Sequence, residues 1–186
     1  MQKTMRAFRL WGGLILLLGI VYGVQYVYHR WQQPWDYASV TPSLVGHWFG
    51  PFKDPDGIPK TLELEIFKPE VDWLNRKRRG GNKQSFKGVA RVKSRLGQEQ
   101  YRLEGVVRNS QQQALSRITF LFQDENTRLR NNFNLMTAEE GGTWESDALN
   151  LTLTFRYITE SGSAFSSSND HRYTTTVPVR LKRMSP

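Results

Sequence analysis

Apolar and polar residues alternate with a period of two through most of the chain from residue 44 onward. In the stretch TLELEIF, Leu62, Leu64 and Ile66 fall on one side, while the residues between them are polar. The same alternation recurs in FKGVARVK, YRLEGVVR, NLTLTFRY and TTTVPVRLK. This pattern is typical of β-strands that bury one face and expose the other to water. Each of these segments is therefore predicted to be a strand.

Further strands are predicted at 44–52, 117–123, 132–138 and 143–146, where shorter apolar runs lie between turn signals such as the sequence DPDG that begins at Asp54. The run RITFLFQ, within the second of these segments, is apolar on both faces and is predicted to be the most buried strand. About eight or nine short strands in succession favour a mainly β domain. We predict an antiparallel up-and-down β-barrel, with a β-sandwich as the alternative.

One helix is predicted within this domain, at residues 69–78, PEVDWLNRKR. Pro69 suits its first turn, and the acidic residues near its start and the basic residues near its end match the helix dipole.

The N-terminal part of the chain has a different pattern. From Leu10 to Tyr28 it reads LWGGLILLLGIVYGVQYVY, in which Gln25 is the only strongly polar residue. As a helix rising about 1.5 Å per residue, this stretch would be roughly 28 Å long, which is close to the hydrocarbon thickness of a bilayer. A cleaved signal peptide has an apolar region of about 7–15 residues followed by a small-residue cleavage site. We therefore predict an uncleaved transmembrane anchor at 10–28; a cleaved signal and a buried core helix are the alternatives.

The charges around the anchor predict its orientation. Lys3, Arg6 and Arg9 precede it, whereas only Arg30 follows it closely. Because positive flanks stay on the cytoplasmic side, residues 1–9 are predicted to be a cytoplasmic tail. The remaining chain divides into a linker at 29–43, a β domain at 44–182 and a C-terminal tail at 183–186. The sequence thus predicts a single-pass protein of a bacterial inner membrane, with its C-terminal domain in the periplasm.

Residue types that carry chemistry are sparse. The chain of 186 residues has no cysteine, which excludes disulfides and thiolate metal sites. Its three histidines, His29, His47 and His171, lack the spacing of metal ligands. No G-x-S-x-G nucleophile motif occurs. We therefore predict neither a metal site nor a cofactor, and expect a protein that is not an enzyme.

Charge supplies the main binding candidate. Lysine and arginine number 26 against 17 acidic residues, and the segment 74–98 contains nine basic residues and no acid. Outside the cytoplasm such a cluster meets no chromatin and little RNA, so nucleic acid is not a predicted partner. An anionic lipid surface, an envelope polymer or an acidic protein suits it better; a merely solvated loop with a charged strand face is the alternative. The candidate binding residues are Arg76, Lys77, Arg78, Arg79 and Lys83.

A family resemblance begins at SLVGHWFGPF. Gly46-His47-Trp48 at the start of the first strand, followed by a meander of strands, resembles the lipocalin and wider calycin barrels. In that family the G-x-W motif closes one end of the barrel, and its tryptophan packs near a basic residue from a late strand. The resemblance implies that Gly46 and Trp48 close the barrel here together with Arg180, or with Arg156.

The expected function is binding. An anchored accessory or scaffold protein on an envelope protein complex is the first interpretation, a carrier of a lipid or small hydrophobic ligand the second, and an anchored periplasmic inhibitor or immunity protein the third. The size of the inward side chains distinguishes the first two, because a barrel of about eight strands is either filled by side chains or holds one small ligand. We predict a filled interior from the large residues Phe86, Tyr101, Phe120, Phe155 and Tyr157.

Overall fold

The computed structural model describes residues 2–37, 42–69, 84–123, 133–139, 142–157 and 174–184. The helix predicted at 69–78 and the candidate binding residues from Arg76 to Lys83 lie outside these ranges, apart from Pro69. Helix α1 (Gln2–Gln32) and a short 3-10 turn (Pro34–Asp36) precede the β domain. The strands are β1 (Gly46–Lys53), β2 (Pro59–Ile66), β3 (Ser85–Ser94), β4 (Gly97–Asn109), β5 (Ala114–Phe122), β6 (Phe133–Glu139), β7 (Thr143–Trp144), β8 (Ala148–Tyr157) and β9 (Thr174–Arg183).

Eight of these strands close into an antiparallel barrel, which confirms the predicted fold and rules out the sandwich. Strands β1 to β6 pair in sequence order, β8 follows β6, and β9 pairs with both β8 and β1. The short strand β7 lies beside β5 and β8 without taking part in the closure. The seam between β1 and β9 is short, since only Trp48 with Arg183 and Phe49 with Lys182 are paired across it.

The period-two alternation of the sequence determines which side chains face the inside. On β2 the buried side chains include Leu62, Leu64 and Ile66, while Glu63 and Glu65 between them are half-buried on the outer face. The neighbouring strands repeat this arrangement, and the inward side chains form one continuous hydrophobic core. Burial of these apolar side chains provides most of the driving force for folding.

Helix α1 contains a stretch, Gly12–Trp31, that is long and apolar enough to cross a membrane. Its apolar side chains, such as Ile15, Leu16 and Val24, are largely exposed. Because the rest of the described chain does not cover them, they are free to face lipid. The helix continues without a break to Gln32, beyond the predicted end of the anchor at residue 28.

The segment that follows the helix is docked against one end of the barrel. Trp35 is fully buried, with its ring centroid 6.1 Å from that of Phe86. The backbone N–H of Leu44 donates to the Trp35 carbonyl at 3.0 Å, and the indole N–H of Trp144 donates to the Pro42 carbonyl at 2.6 Å. We call this end of the barrel the anchor end. The opposite, distal end carries the β1–β2 and β3–β4 turns.

Candidate functional site

Arg183, the last residue of β9, closes the anchor end of the barrel. Its guanidinium carbon lies 4.2 Å from the centroid of a Trp48 ring, a cation–π contact. Its Nε donates to the carbonyl of Ser146 at 2.7 Å, Nη1 donates to the carbonyl of Val45 at 2.9 Å, and Nη2 donates to the carbonyl of Ser43. Burial lowers the pKa of the Arg183 guanidinium. One side chain thus joins the end of β9 to the chain before β1 and after β7.

This arrangement corrects the residue that the lipocalin resemblance implied. Arg180 is exposed on the outer face, because Leu181 beside it points inward and is fully buried. Arg156, half-buried on β8, pairs with β6 and β9 away from the motif. Arg183 lies on the same side of β9 as Leu181, two residues further along. The alternation in VRLKR places Val179, Leu181 and Arg183 on the same face of the strand. The predicted domain boundary at 182 assigned Arg183 to the C-terminal tail, so it was not considered.

Gly46 and Trp48 lie where the G-x-W motif predicts, at the start of β1. Gly46 has a φ of +132°, and a Cβ atom at this position would lie 2.9 Å from Nη1 of Arg183. A side chain there would therefore strain the backbone and displace the guanidinium. The fully buried Trp48 donates its indole N–H to the Leu44 carbonyl at 2.9 Å. The motif is the place where the first strand, the last strand and the docked linker meet.

The interior of the barrel is filled by side chains. Phe86, Tyr101, Phe120 and Phe155 are each at most 3 % exposed, whereas Tyr157 is half-buried. The rings contact one another: Tyr101 meets Phe120 with centroids 6.2 Å apart, in an edge-on arrangement. These aromatic side chains occupy the space in which a carrier of the same fold would hold its ligand.

The packing is tight even where the sequence has glycine. Gly105 on β4 lies directly opposite Phe86 on β3, and a Cβ atom added to Gly105 would come within 2.1 Å of Cζ in the Phe86 ring. The ring therefore covers the glycine and uses the space that a side chain would need. This close approach explains why a residue without a side chain lies at an inward position of a central strand.

The distal end contains a buried ion pair. Nζ of Lys60 lies 3.1 Å from Oδ2 of Asp54, and both side chains are at most 2 % exposed. Oδ1 of Asp54 accepts the backbone N–H of Ile58 at 2.8 Å, and its carbonyl accepts that of Gly57 at 2.9 Å. The DPDG sequence thus forms the predicted turn, held by its own carboxylate. Within the described ranges, no three histidine or acidic side chains converge as metal ligands would.

A solvent-open groove runs across the outer face of β1, β2 and β3 at this end, beside the buried pair, with a volume of about 550 Å³. We call it the distal groove. Two prolines, a threonine and three cations contribute its outward-facing residues: Pro51, Lys53, Pro59, Thr61, Lys93 and Arg95. Sequence reasoning did not identify this groove, because its residues come from three segments that only the sheet brings together.

The structure describes residues 84–98 of the basic segment, and their cations are spread along β3 from one end of the barrel to the other. Strand β3 has 10 residues, which corresponds to about 30 Å at roughly 3.3 Å per residue. Its start lies at the anchor end, and its last cations, Lys93 and Arg95, lie at the distal end. Carboxylates of β2 lie close to these cations. Oε1 of Glu63 is 2.6 Å from Nζ of Lys93, and Oε2 of Glu65 is 3.9 Å from Nη1 of Arg91. The segment is therefore not one uniform basic surface.

The fold defines a small closed antiparallel β-barrel behind an apolar helix. No family model and no curated protein matches the chain. Among solved structures it is similar to a de novo designed fluorescence-activating β-barrel, with 12 % sequence identity and a TM-score of 0.39. That match covers 76 % of this chain and 94 % of the designed chain. Membership of the lipocalin family stays a prediction from the sequence motif.

Proposed function

We propose that this protein is a membrane-anchored binding protein that acts through the outer surface of its barrel, as an accessory subunit of an envelope protein complex. The filled interior is the observation that carries this proposal. Tyr101 and Phe155 are buried inside the barrel, and the Phe86 ring contacts Gly105. A barrel of this size is either filled by side chains or holds one small ligand, and these contacts favour the filled barrel over a ligand carrier. Recognition then depends on the surface outside.

The proposed location is a bacterial inner membrane, with the N-terminus in the cytoplasm and the barrel in the periplasm. The length of the apolar stretch Gly12–Trp31 and the basic residues before it support this topology. The docking of Trp35 against the barrel further implies that the domain stays close to the bilayer surface. The partner is accordingly an envelope protein that a barrel held near the bilayer can reach.

The basic residues from Arg76 to Lys83 contribute, in this proposal, by contacting anionic lipid. The described chain enters this segment after Pro69 and leaves it at Gln84, and both neighbouring strand ends, Ile66 of β2 and Ser85 of β3, belong to the anchor end. Each lysine or arginine near an anionic membrane surface contributes about 1 kcal/mol to binding. The cluster would thus orient the barrel while α1 holds it within reach.

Two measurements test the location. An enzyme reporter that is active only outside the cytoplasm, fused after Pro186, should be active, and the protein should stay in the membrane fraction after a carbonate wash. A reporter active only in the cytoplasm would contradict the orientation. Release of a shortened soluble form would show that the apolar segment is a cleaved signal.

Photo-crosslinking in intact cells tests the binding role. A photoreactive residue is placed in turn at outward positions of different strands, such as Thr61, Arg108, Thr119 and Arg180, and at the inward position Leu103 as a matched control. We expect at least one outward position to give a discrete crosslinked protein, and Leu103, which is fully buried, to give none. A crosslink to lipid or a small apolar molecule from Leu103, with no outward crosslink, would favour the carrier instead.

A further inference from the structure

We infer that the distal groove binds a short segment of a partner protein in which acidic and apolar residues are mixed. This inference rests on the proposed binding function and identifies the surface that performs it. The groove is a shallow, solvent-open depression, so it suits a peptide segment lying on the surface better than an enclosed small molecule. Four features support the assignment: a preformed wall, two cations that form no ion pair within the described part of the chain, an apolar lining, and a position at the distal end of the barrel.

The wall of the groove is held in place by the buried pair of Asp54 and Lys60. Lys60 lies between Pro59 and Thr61, which face the groove, and its side chain is fixed by the ion pair at 3.1 Å. The hydrogen bonds of Asp54 to the turn hold the end of β1 against the start of β2. A site whose walls are already ordered loses less conformational entropy when a ligand binds.

The charge around the groove is positive and only partly neutralised. Lys93 has a carboxylate partner, Glu63, at 2.6 Å. Lys53 and Arg95 are exposed, and neither forms an ion pair with any residue that the structure describes. Two cations flanking one groove therefore remain available for carboxylates of a partner, and complementary charge of this kind favours both encounter and specificity.

The lining favours a protein segment over a purely anionic polymer. Pro51 and Pro59 contribute rings that face the groove, and Phe52 contributes to its apolar surface. The strands beneath the groove are already paired with one another, so recognition there does not add a strand and depends on side chains. An apolar lining between cations fits a peptide that presents an apolar side chain next to an acidic one; a polymer with charges alone would leave that lining unused.

The position of the groove also suits a protein partner. It lies at the distal end, about 30 Å along β3 from the anchor end, which exceeds the Debye length of about 8 Å at physiological ionic strength. Anionic headgroups at the membrane surface are therefore too distant to bind the groove cations or to interact strongly with their charge. The two basic regions of the chain act independently, with lipid at one end and protein at the other.

A defined peptide set tests the inference, with the full chain reconstituted in neutral phosphatidylcholine nanodiscs. The probes are three short fluorescent peptides of equal length: one alternating glutamate with leucine and proline, one with glutamine in place of glutamate, and polyglutamate. Fluorescence anisotropy measures their binding. We expect the acidic–apolar peptide to bind at least about tenfold more tightly than either of the others, because only it satisfies both the cations and the lining.

Charge reversal at the rim provides the matched test. The pair K53E and R95E should weaken the acidic–apolar peptide by about tenfold or more, whereas R108E with R180E changes the same net charge on exposed positions of β4 and β9 and should have little effect. The conservative pair K53R and R95K should retain binding. If both charge-reversal pairs weakened peptide binding equally, the inference would be overturned, because binding would then depend only on the net charge of the barrel.

The remaining outcomes separate this inference from the proposed function. Polyglutamate binding as tightly as the mixed peptide would show a polyanion surface and overturn the assignment of a protein segment. Absence of peptide binding, together with a protein crosslink at outward positions other than Thr61, would overturn the groove while leaving the binding function intact. Absence of a protein crosslink at every outward position would overturn the binding function itself.

Discussion

The guanidinium carbon of Arg183 lies 4.2 Å from the ring of Trp48, and these two residues also form one of the two backbone pairs that join β9 to β1. The side-chain contact therefore reinforces the shortest seam of the barrel. The hydrogen bonds that Arg183 donates to Val45 and Ser146 extend this reinforcement to the neighbouring chain segments. The stability of the closed barrel should depend strongly on this one arginine.

Replacing Arg183 with leucine should lower the free energy of unfolding by about 2–4 kcal/mol, since the variant loses the cation–π contact and leaves carbonyl groups without donors. Arg183→Lys should recover only part of this loss, because an ammonium group cannot reproduce the planar fork of donors. Urea unfolding of the full chain in detergent, followed by near-UV circular dichroism, measures the difference. Arg180→Leu, on the exposed face, is the control and should change stability by less than about 0.5 kcal/mol. Equal effects of the two substitutions would contradict the assigned role.

Gly105→Ala tests whether the interior is filled. The new methyl group would come within 2.1 Å of the Phe86 ring, so the ring must move or the strands must separate. Overpacking of this kind typically costs about 1–3 kcal/mol. The double variant Gly105→Ala with Phe86→Leu should be less destabilised than the sum of the single changes. A neutral Gly105→Ala would reveal free space inside the barrel and strengthen the carrier hypothesis.

Lys60→Met should destabilise the barrel by about 3–5 kcal/mol, because it leaves the Asp54 carboxylate buried without its cation. The double variant Asp54→Asn with Lys60→Met should recover most of this loss, since asparagine keeps an oxygen for the Ile58 N–H and removes the charge. Thermal unfolding of the three variants beside the original protein measures the comparison. If the double variant were as unstable as Lys60→Met alone, the buried charge would not be the cause.

The free energy of unfolding should depend on pH through Asp36, which lies at the junction between the helix and the barrel. Burial raises the pKa of the Asp36 carboxyl, while Lys68 and His29 lower it less. A raised pKa in the folded state means that this group contributes stability below its ordinary pKa of about 3.9 and loses that contribution as the pH rises through the higher folded value. Asp36→Asn should therefore stabilise the protein near pH 7 relative to the original and remove this part of the pH dependence. The difference in unfolding free energy between the two proteins, measured from pH 3 to pH 7, checks the sign; a difference that does not change with pH would contradict it.

The basic cluster predicts a salt-dependent interaction with anionic lipid. Changing Arg76, Lys77, Arg78 and Arg79 together to serine should weaken binding of residues 31–186 to vesicles that contain phosphatidylglycerol and flatten the dependence on salt. Exposed charges contribute little to stability, so folding should be nearly unaffected. Co-sedimentation at low and high salt measures the effect, with neutral vesicles as the control. Binding that is unchanged at low salt would show that the cluster is an ordinary solvated loop.

The strands were predictable because alternation needs only local sequence. Segments such as TLELEIF became strands with the expected faces inward, since a barrel buries every second residue. The prediction for the run RITFLFQ was wrong because it also used only the local sequence. This run was predicted to be the most buried strand, but Leu121 is 37 % exposed, because a closed barrel has water on its outer face even where the sequence there is apolar.

The contacts that make up the candidate sites were not predictable from the sequence, because they join distant segments. Arg183 contacts the carbonyl of Val45 across 138 residues, and the distal groove combines residues from three strands. Periodicity assigns a residue to a face, but it does not fix the register that brings Glu63 within 2.6 Å of Lys93. Local patterns therefore gave the elements, and only closure of the sheet placed the side chains beside one another.

The seam between β1 and β9 has a consequence for the order in which the barrel folds. Ser43 and Arg183, which meet at this seam, are 140 residues apart, so β1 cannot pair with β9 until the last strand of the domain has been synthesised. Contacts of such high contact order form slowly, because the entropy of closing a long loop is lost before any contact compensates for it. During that interval the edges of β1 and β8 are unpaired and prone to aggregate. If α1 anchors the chain in a membrane, as we propose, it would also keep separate copies of the folding domain apart and so act as a folding aid.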